Sequence, residues 1–351
     1  MIVCYFGVYD PEHIRNRVLI AGLKQNGVKV LECRDNSAGL LKYWNLYKKH
    51  RLIKNQYDIL VVGFSGQVAV FFAKLLSNKK VVLDAMVPLH DAMVYNHRQV
   101  KKISLKAIYY WLLDYTAVHM ADAVMTDTVE HIKFYNKNFG LNKKKCFRIF
   151  VGADDSIFYP RKSNKTVSKF LVEFHGFVYA EHGIDYIIEA ARILGEKDRD
   201  ICFDMIGASR QYDQAKVKAE RLALKNIHFL GRKKFAEIPQ IIADSDICLG
   251  LFGVTAKAKR VIPCKGFEIA ASRRAYINAD GPGMRELFVD GENCLLCQPA
   301  DGASLAEAIL KIKNNTGLKD KIADNAYKLF KEKLRPIILG KKFKDKLKKV
   351  L

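Results

Sequence analysis

The densest run of residues able to do polar chemistry is Lys257-Ala-Lys259-Arg260-Val-Ile-Pro-Cys-Lys265-Gly-Phe-Glu268. Four cations so close together suit an anionic ligand. The run follows the apolar stretch ICLGLF at 247–252 and enters a helical pattern near Lys265. A helix start adds unpaired backbone N–H groups and the positive end of the helix dipole. Glu268, expected in the first turn, has a carboxylate that can accept hydrogen bonds from vicinal hydroxyls. A ribose beside phosphates would meet both halves of the cluster. A solvated basic loop running into a helix with a stabilising glutamate is the plainer reading, and composition alone leaves both open.

The elements that must hold this run are short apolar strands alternating with helical segments. Met1–Phe6, Val28–Cys33, Ile59–Val62, Val81–Asp84, Ala123–Thr126 and Phe147–Val151 read as strands. After the polar stretch 159–168, YPRKSNKTVS, a second series begins. Its strands are Phe170–Phe174, Ile201–Ile206, Ile227–Leu230, Ile247–Leu251, Ala275–Asn278 and Leu295–Cys297. Such alternation predicts βαβ units and parallel sheets, hence an α/β protein. The expected organisation is a first domain over 1–158, a linker over 159–168, a second domain over 169–330 and a basic helical segment over 331–351. Two doubly wound sheets place ligands at the carboxyl ends of their strands, here in a central cleft that the two domains face.

The chain has 351 residues, half of them hydrophobic, with 59 Lys and Arg against 37 Asp and Glu. That apolar fraction excludes a disordered chain, and the length suits two domains. The net charge of +22 predicts attraction to anions. It is concentrated in residues 1–160 and 311–351, with a near-neutral middle. The eight cysteines are scattered through strand-like runs, which reads as reduced thiols rather than a disulfide framework. Cys294 and Cys297 form one CxxC, without the second pair or nearby His that a zinc site needs. The nine histidines have no ligand spacing, and His119 and His131 read as structural. MIVCYFGVYDPE reads as a first strand, not a signal peptide. No apolar run reaches the ~18 residues of a membrane span.

KRVIPCKGFEIAASRRAYINADGPGMREL resembles the donor-site segment of the large retaining glycosyltransferase family called group one, or family four, which has the GT-B fold. FHGFVYAEHGIDYIIEAARIL, ICFDMIG, NIHFLGRKKFAEIPQIIADSDICLGLF and GENCLLCQPAD resemble that family's second domain, and FVGADDSIFYP the segment leaving its first. The resemblance implies two Rossmann-like domains, a nucleotide diphosphate sugar as donor, no cofactor and no metal. Asp154-Asp155 is then no metal-binding pair, because that device belongs to the other transferase fold. The family's usual pair of glutamates becomes Arg260 and Glu268 here, and its phosphate-gripping Arg and Lys become Phe177 and His182. Lys257, Lys259, Arg260 and Lys265 would replace the lost charge, while His182 keeps a hydrogen-bond donor. In the first domain, Gly7 would let backbone approach the donor phosphate, although a strand-end Gly explains it equally. Where relatives place a sugar-contacting His, the candidates are Asp84 and His90, with Met86 near the equivalent place. Arg15 and Arg17 open the first helix and read as exposed. A nucleotide-sugar epimerase of the same fold, or a degenerate non-catalytic binder, is the alternative.

Two basic stretches predict a surface partner. Residues 101–115 combine Lys101, Lys102 and Lys106 with Tyr109, Tyr110, Trp111 and Tyr115. Residues 341–351 place Phe343, Leu347 and Val350 at helical spacing among six lysines. With the last helix crossing back to the first domain, both blocks are expected to share one face toward an anionic membrane. The acceptor implied is a glycan or a lipid-linked molecule, and the location is cytoplasmic and peripheral on that face of the membrane. Nucleic acid is not expected as a partner, since no basic-aromatic recognition motif accompanies the charge.

Overall fold

The computed structural model describes residues 1–96, 99–166 and 168–351. The chain divides into two compact units, Met1–Asp154 with Leu334–Leu351, and Asp155–Lys333.

Unit 1 contains β1 (Ile2–Gly7), α1 (Ile14–Gln25), β2 (Lys29–Arg34), α2 (Leu41–Ile53), β3 (Ile59–Val62), α3 (Gln67–Leu76), β4 (Val81–Asp84), α4 (Leu105–Met120), β5 (Ala123–Thr126), α5 (Val129–Phe139) and β6 (Cys146–Arg148). Its parallel sheet has the order β2-β1-β3-β4-β5-β6. The chain reverses direction across the sheet after β2, so right-handed crossovers put α1 on one face and α2 to α5 on the other. Packing agrees. Phe6, Leu60, Val62, Leu83 and Val124 share a core with Leu46, Ala73, Ala117 and Tyr135 from those four helices.

Unit 2 contains β7 (Phe170–Phe177), α6 (Ile184–Lys197), β8 (Ile201–Ala208), α7 (Arg210–Arg221), β9 (Ile227–Gly231), α8 (Ile238–Asp244), β10 (Ile247–Leu249), α9 (Ala256–Arg260), α10 (Cys264–Ala271), β11 (Ala275–Ala279), β12 (Leu295–Cys297), α11 (Gly302–Lys313) and α12 (Thr316–Lys333). The order is β12-β11-β10-β7-β8-β9, all parallel. The stretch 159–168 belongs to this unit rather than serving as a free linker. The Asn164 N–H donates to Asp244 Oδ1 at 2.6 Å, and Lys165 pairs with Asp246. Val167 of that stretch lies outside the described residues.

The last helix, α13 (Pro336–Val350), returns to unit 1 and lies on α1. Gly22 and Gly340 let the two backbones touch: a Cβ on Gly340 would fall 2.0 Å from the Gly22 carbonyl carbon. Leu339, Phe343 and Leu347 are buried, and the Phe343 ring meets Phe147 at 6.3 Å. This placement corrects one expectation. Because α13 sits with α1, it lies on the sheet face opposite α4, and the two basic blocks do not share a face.

Candidate active site

In unit 2 the strand order switches between β7 and β10, and a doubly wound sheet opens its ligand crevice at the carboxyl ends of such a pair. Most of the unit 2 residues singled out from the sequence gather there. The 3-10 turn Ala180–His182 follows β7 and is tied to the end of β10 by two backbone bonds. Phe252 N–H donates to the His182 carbonyl at 3.1 Å, and Gly253 N–H to that of Glu181 at 3.0 Å. Helix α10 starts at Cys264 without a side-chain cap. Glu268 is therefore in its second turn, not its first.

Glu268 is not a free carboxylate. Its Oε2 lies 3.1 Å from His175 Nε2, and His175 Nδ1 lies 2.9 Å from Glu173 Oε1. Strand β7 supplies both partners, since residues two apart point to the same side. Burial works against charge on His175, but Glu173 and Glu268 outweigh it and raise its pKa to about 9. A carboxylate–imidazolium–carboxylate relay thus fixes one oxygen of Glu268. Glu173 and His175 were missed from the sequence because they lie inside an apolar strand; the signal was two titratable residues on one strand face.

Lys265 is 6 % exposed, and its Nζ has no hydrogen-bond partner. The ammonium sits 3.5 Å from the Phe174 ring centroid. Burial lowers its pKa to about 7, against the pull of Glu173 and Glu268. Gly176, at φ +132°, leaves the space beside Nζ open, where a Cβ would come within 3.5 Å. Of the cations proposed for an anion, Lys265 is the one whose ammonium is buried and uncommitted.

The others are placed differently. Lys257 pairs with the buried Glu181, Nζ to Oε1 2.7 Å, so it is not a free cation. Arg260 ends α9 and is buried. His182 stays neutral because burial, with Lys265 and Lys257 nearby, drives its pKa well below the ordinary value. Its Nδ1 accepts the Tyr179 N–H at 3.1 Å, so its proton is on Nε2 and can be donated to a ligand.

In unit 1 the switch lies between β1 and β3. Gly7 ends β1 at φ +130°, a conformation that favours glycine, and a Cβ there would meet Ala69 Cβ at 3.3 Å. Asp84 is committed within the unit. Both of its oxygens are taken by Arg15, at 2.8 and 3.1 Å, and neither side chain is exposed. Arg15, read as an exposed helix residue, is instead the centre of this unit: its Nη1 also donates to the Ile149 and Phe150 carbonyls. His90 remains half-buried in the turn after β4, where Asp114 accepts its N–H at 2.8 Å and that of Leu89 at 2.9 Å. Burial lowers the His90 pKa, so its ring is neutral near pH 7. Asn16 was missed as well. Its Oδ1 accepts Tyr5 OH and Phe64 N–H, and its Nδ2 donates to the Asp10 and Phe64 carbonyls, which joins the loops after β1 and β3. Among the described residues, no three His, Cys, Asp or Glu side chains form a metal-holding group.

Two parallel six-stranded sheets of this kind define a GT-B architecture. The chain matches a structure of Anabaena Alr3699/HepE in complex with UDP-glucose at TM-score 0.74 and 16 % identity, covering 99 % of both chains. It matches sucrose-phosphate synthase from Thermosynechococcus elongatus at TM-score 0.77 and 13 % identity, covering 99 % of this chain and 98 % of that one. Residues 155–329 match the family model "Glycosyl transferases group 1". The chain belongs to this family of transferase enzymes. Two uncharacterised glycosyltransferases of Methanocaldococcus jannaschii are similar. MJ1178 is 26 % identical over 54 % of this chain and half of its own length. MJ1069 is 25 % identical over 83 % of this chain and 74 % of its own.

Proposed function

We propose that this protein transfers a sugar, with retention of configuration, from a nucleotide diphosphate sugar to a glycan or a lipid-linked acceptor, in the building of a cell-surface polysaccharide or glycolipid. The observation that carries this reading is Lys265, a buried ammonium without a hydrogen-bond partner, one helical turn from a carboxylate held in place by His175. The ammonium suits the diphosphate, on which negative charge grows as the bond to the sugar breaks. Glu268 suits the ribose hydroxyls. His182 Nε2–H offers a further donor, and Arg260 at the end of α9 adds positive potential, while Lys257 is held by Glu181. In unit 1, His90 is the group proposed to contact the transferred sugar, and Gly7 the place where backbone meets the donor. With fixed cations facing the leaving group, the reaction is proposed to need no metal. Eight unpaired cysteines suit a reducing, cytoplasmic setting.

A thermal-shift screen against UDP, GDP, ADP and their sugars tests the donor class. A true donor at 100 times its dissociation constant should add ~2.7 kcal/mol of stability. Undiminished turnover in EDTA and a product that keeps the donor's anomeric configuration by NMR are the expected results. No response to any nucleotide diphosphate would remove the proposal.

A further inference from the structure

We propose that the outer face of α2, α3 and α4 is the surface on which this protein lies against an anionic lipid bilayer. The proposal deepens the reading of a lipid-linked acceptor and rests on it. On α4, Leu105, Ile108, Tyr109, Leu112 and Tyr115 form one outward stripe, with Leu105 87 % exposed. On α2, Leu41, Trp44 and Leu52 are exposed, and Leu75 is exposed on α3. The three helices are neighbours, for α3 packs against both others and the Tyr43 ring meets Phe72 at 5.8 Å.

The charge around this apolar face has one sign. Residues 36–57 and 59–83 contain no Asp or Glu. Residues 99–121 contain one, Asp114, which is buried under the turn it caps. Lys42, Lys48, Lys54, Lys101, Lys102 and Lys106 surround the exposed side chains. Lys48 lies over the Trp44 ring at 5.3 Å and Lys102 over Tyr95 at 5.3 Å, so aromatic and cationic groups face solvent together. Cations alone would suit any polyanion. Exposed leucines and isoleucines are of no use to a phosphate backbone, but they bury in acyl chains while lysines reach the head groups. Most of the excess charge is on this unit: unit 1 has 30 basic and 13 acidic residues, unit 2 has 29 and 24.

The position of the face fits an acceptor held in lipid. Each of these helices runs back from the carboxyl end of a parallel strand, so their first turns lie at that end of the sheet. Leu41, Trp44, Leu105 and Ile108 are in those turns, at the same sheet end as His90. The tail contrasts with this. Helix α13 is on the opposite sheet face, and the apolar stripe of its lysine-rich half, Leu339, Phe343 and Leu347, is buried, which leaves only the apolar Ile337 and Leu351 exposed at its two ends. A flat bilayer meets one face, and α2 to α4 is the one able to enter it.

The test uses the full chain without any sugar nucleotide and vesicles of phosphatidylcholine with or without phosphatidylglycerol. The parent should pellet with the anionic vesicles, and brominated acyl chains should quench Trp44 emission in a signal that Trp44→Phe removes. The triple change Leu105→Ser, Ile108→Ser, Leu112→Ser should keep the parent's melting temperature and lose binding about tenfold. Changing Lys344, Lys346, Lys348 and Lys349 to Gln should alter binding less than about twofold, as each cation on the wrong face is beyond a Debye length. The proposal is overturned if the parent stays in the supernatant, if Trp44 is not quenched, if the triple variant binds as well as the parent, or if the tail variant loses as much. Binding of parent and triple variant alike to duplex nucleic acid, with none to vesicles, would assign the face to that partner instead. Donor binding is measured without vesicles, so either reading can fail alone.

Discussion

Each unit buries charge toward the carboxyl ends of its strands, and the two do so in opposite ways. In unit 1, Arg15 and Asp84 close on each other, with the remaining guanidinium bonds going to main-chain carbonyls. Nothing is left over for a ligand. In unit 2, Glu173, His175 and Glu268 form a chain, and Lys265 beside them has no hydrogen-bond partner. A buried charge whose bonds are complete builds architecture; one left incomplete holds a place for something that arrives later. That difference separates Asp84 from Glu268, two carboxylates that both stood as candidate site residues in the sequence.

The contrast is broken most forcefully by removing one partner from each unit. Arg15→Met leaves the Asp84 carboxyl buried without its partner, where burial already holds its pKa above the ordinary value, and should cost ~3–5 kcal/mol in urea unfolding. Lys265→Met should do the reverse, leaving stability unchanged or raised while binding of the correct nucleotide diphosphate falls at least tenfold. Equal destabilisation by the two would mean that Lys265 is as much a part of the architecture as Arg15. Glu268→Gln is the next largest, with nucleotide affinity falling ~1–3 kcal/mol for a lost charged hydrogen bond. Calorimetry with the nucleotide found in the thermal-shift screen checks both.

The pH dependence sharpens the same point. His175 has its pKa raised from the ordinary 6.5 to about 9, so its contribution to stability is complete below pH 6.5 and is lost as pH rises to 9. Lys265 has its pKa lowered from 10.5 to about 7, so it opposes folding at low pH and stability recovers as pH rises from 7 to 10.5. Between pH 7 and 9 the slopes oppose each other. Lys265→Met should expose the fall, and His175→Gln the rise, each by up to ~1.4 kcal/mol per pH unit. Flat profiles for both variants would show that neither group titrates as its surroundings require. A diphosphate beside Lys265 favours the ammonium, so binding above pH 7 takes up a proton and weakens as pH rises. Lys265→Arg, always charged, should remove that dependence, and calorimetry in buffers of different ionisation enthalpy would detect the proton.

The fold was legible because strand and helix periods alternate cleanly, and Lys265-Gly-Phe-Glu268 was legible because a strand end, a helix start and charge coincide there. The partners of Glu268 were not. Glu173 and His175 sit in a strand whose other residues are apolar, and what ties them to the candidate site is Glu268, 93 residues beyond His175. Arg15 misled for the same reason, since an arginine in a first turn is normally exposed and nothing local announces Asp84. The placement of α1 and α4 on opposite sheet faces follows from crossover handedness, which needs the strand order before it can be applied, and α13 joins α1's face by packing on it.

The smallest expected effect comes from completing unit 2 rather than breaking it. Phe177 ends β7 on the exposed side, with the Arg232 guanidinium 5.6 Å from its ring. The family resemblance puts an arginine at this position, where it would face the phosphates. Phe177→Arg should therefore tighten a nucleoside diphosphate a few-fold, ~0.3–1 kcal/mol, because an exposed charge is well screened. The matching nucleoside should bind unchanged, and unfolding should move by no more than ~0.5 kcal/mol, as for other surface changes. Equal gains for nucleoside and diphosphate would point to stacking or packing rather than charge. No gain for either would place the phosphates away from the end of β7, and Lys265 would then have to be answering a different anion, such as a carboxylate on the transferred sugar.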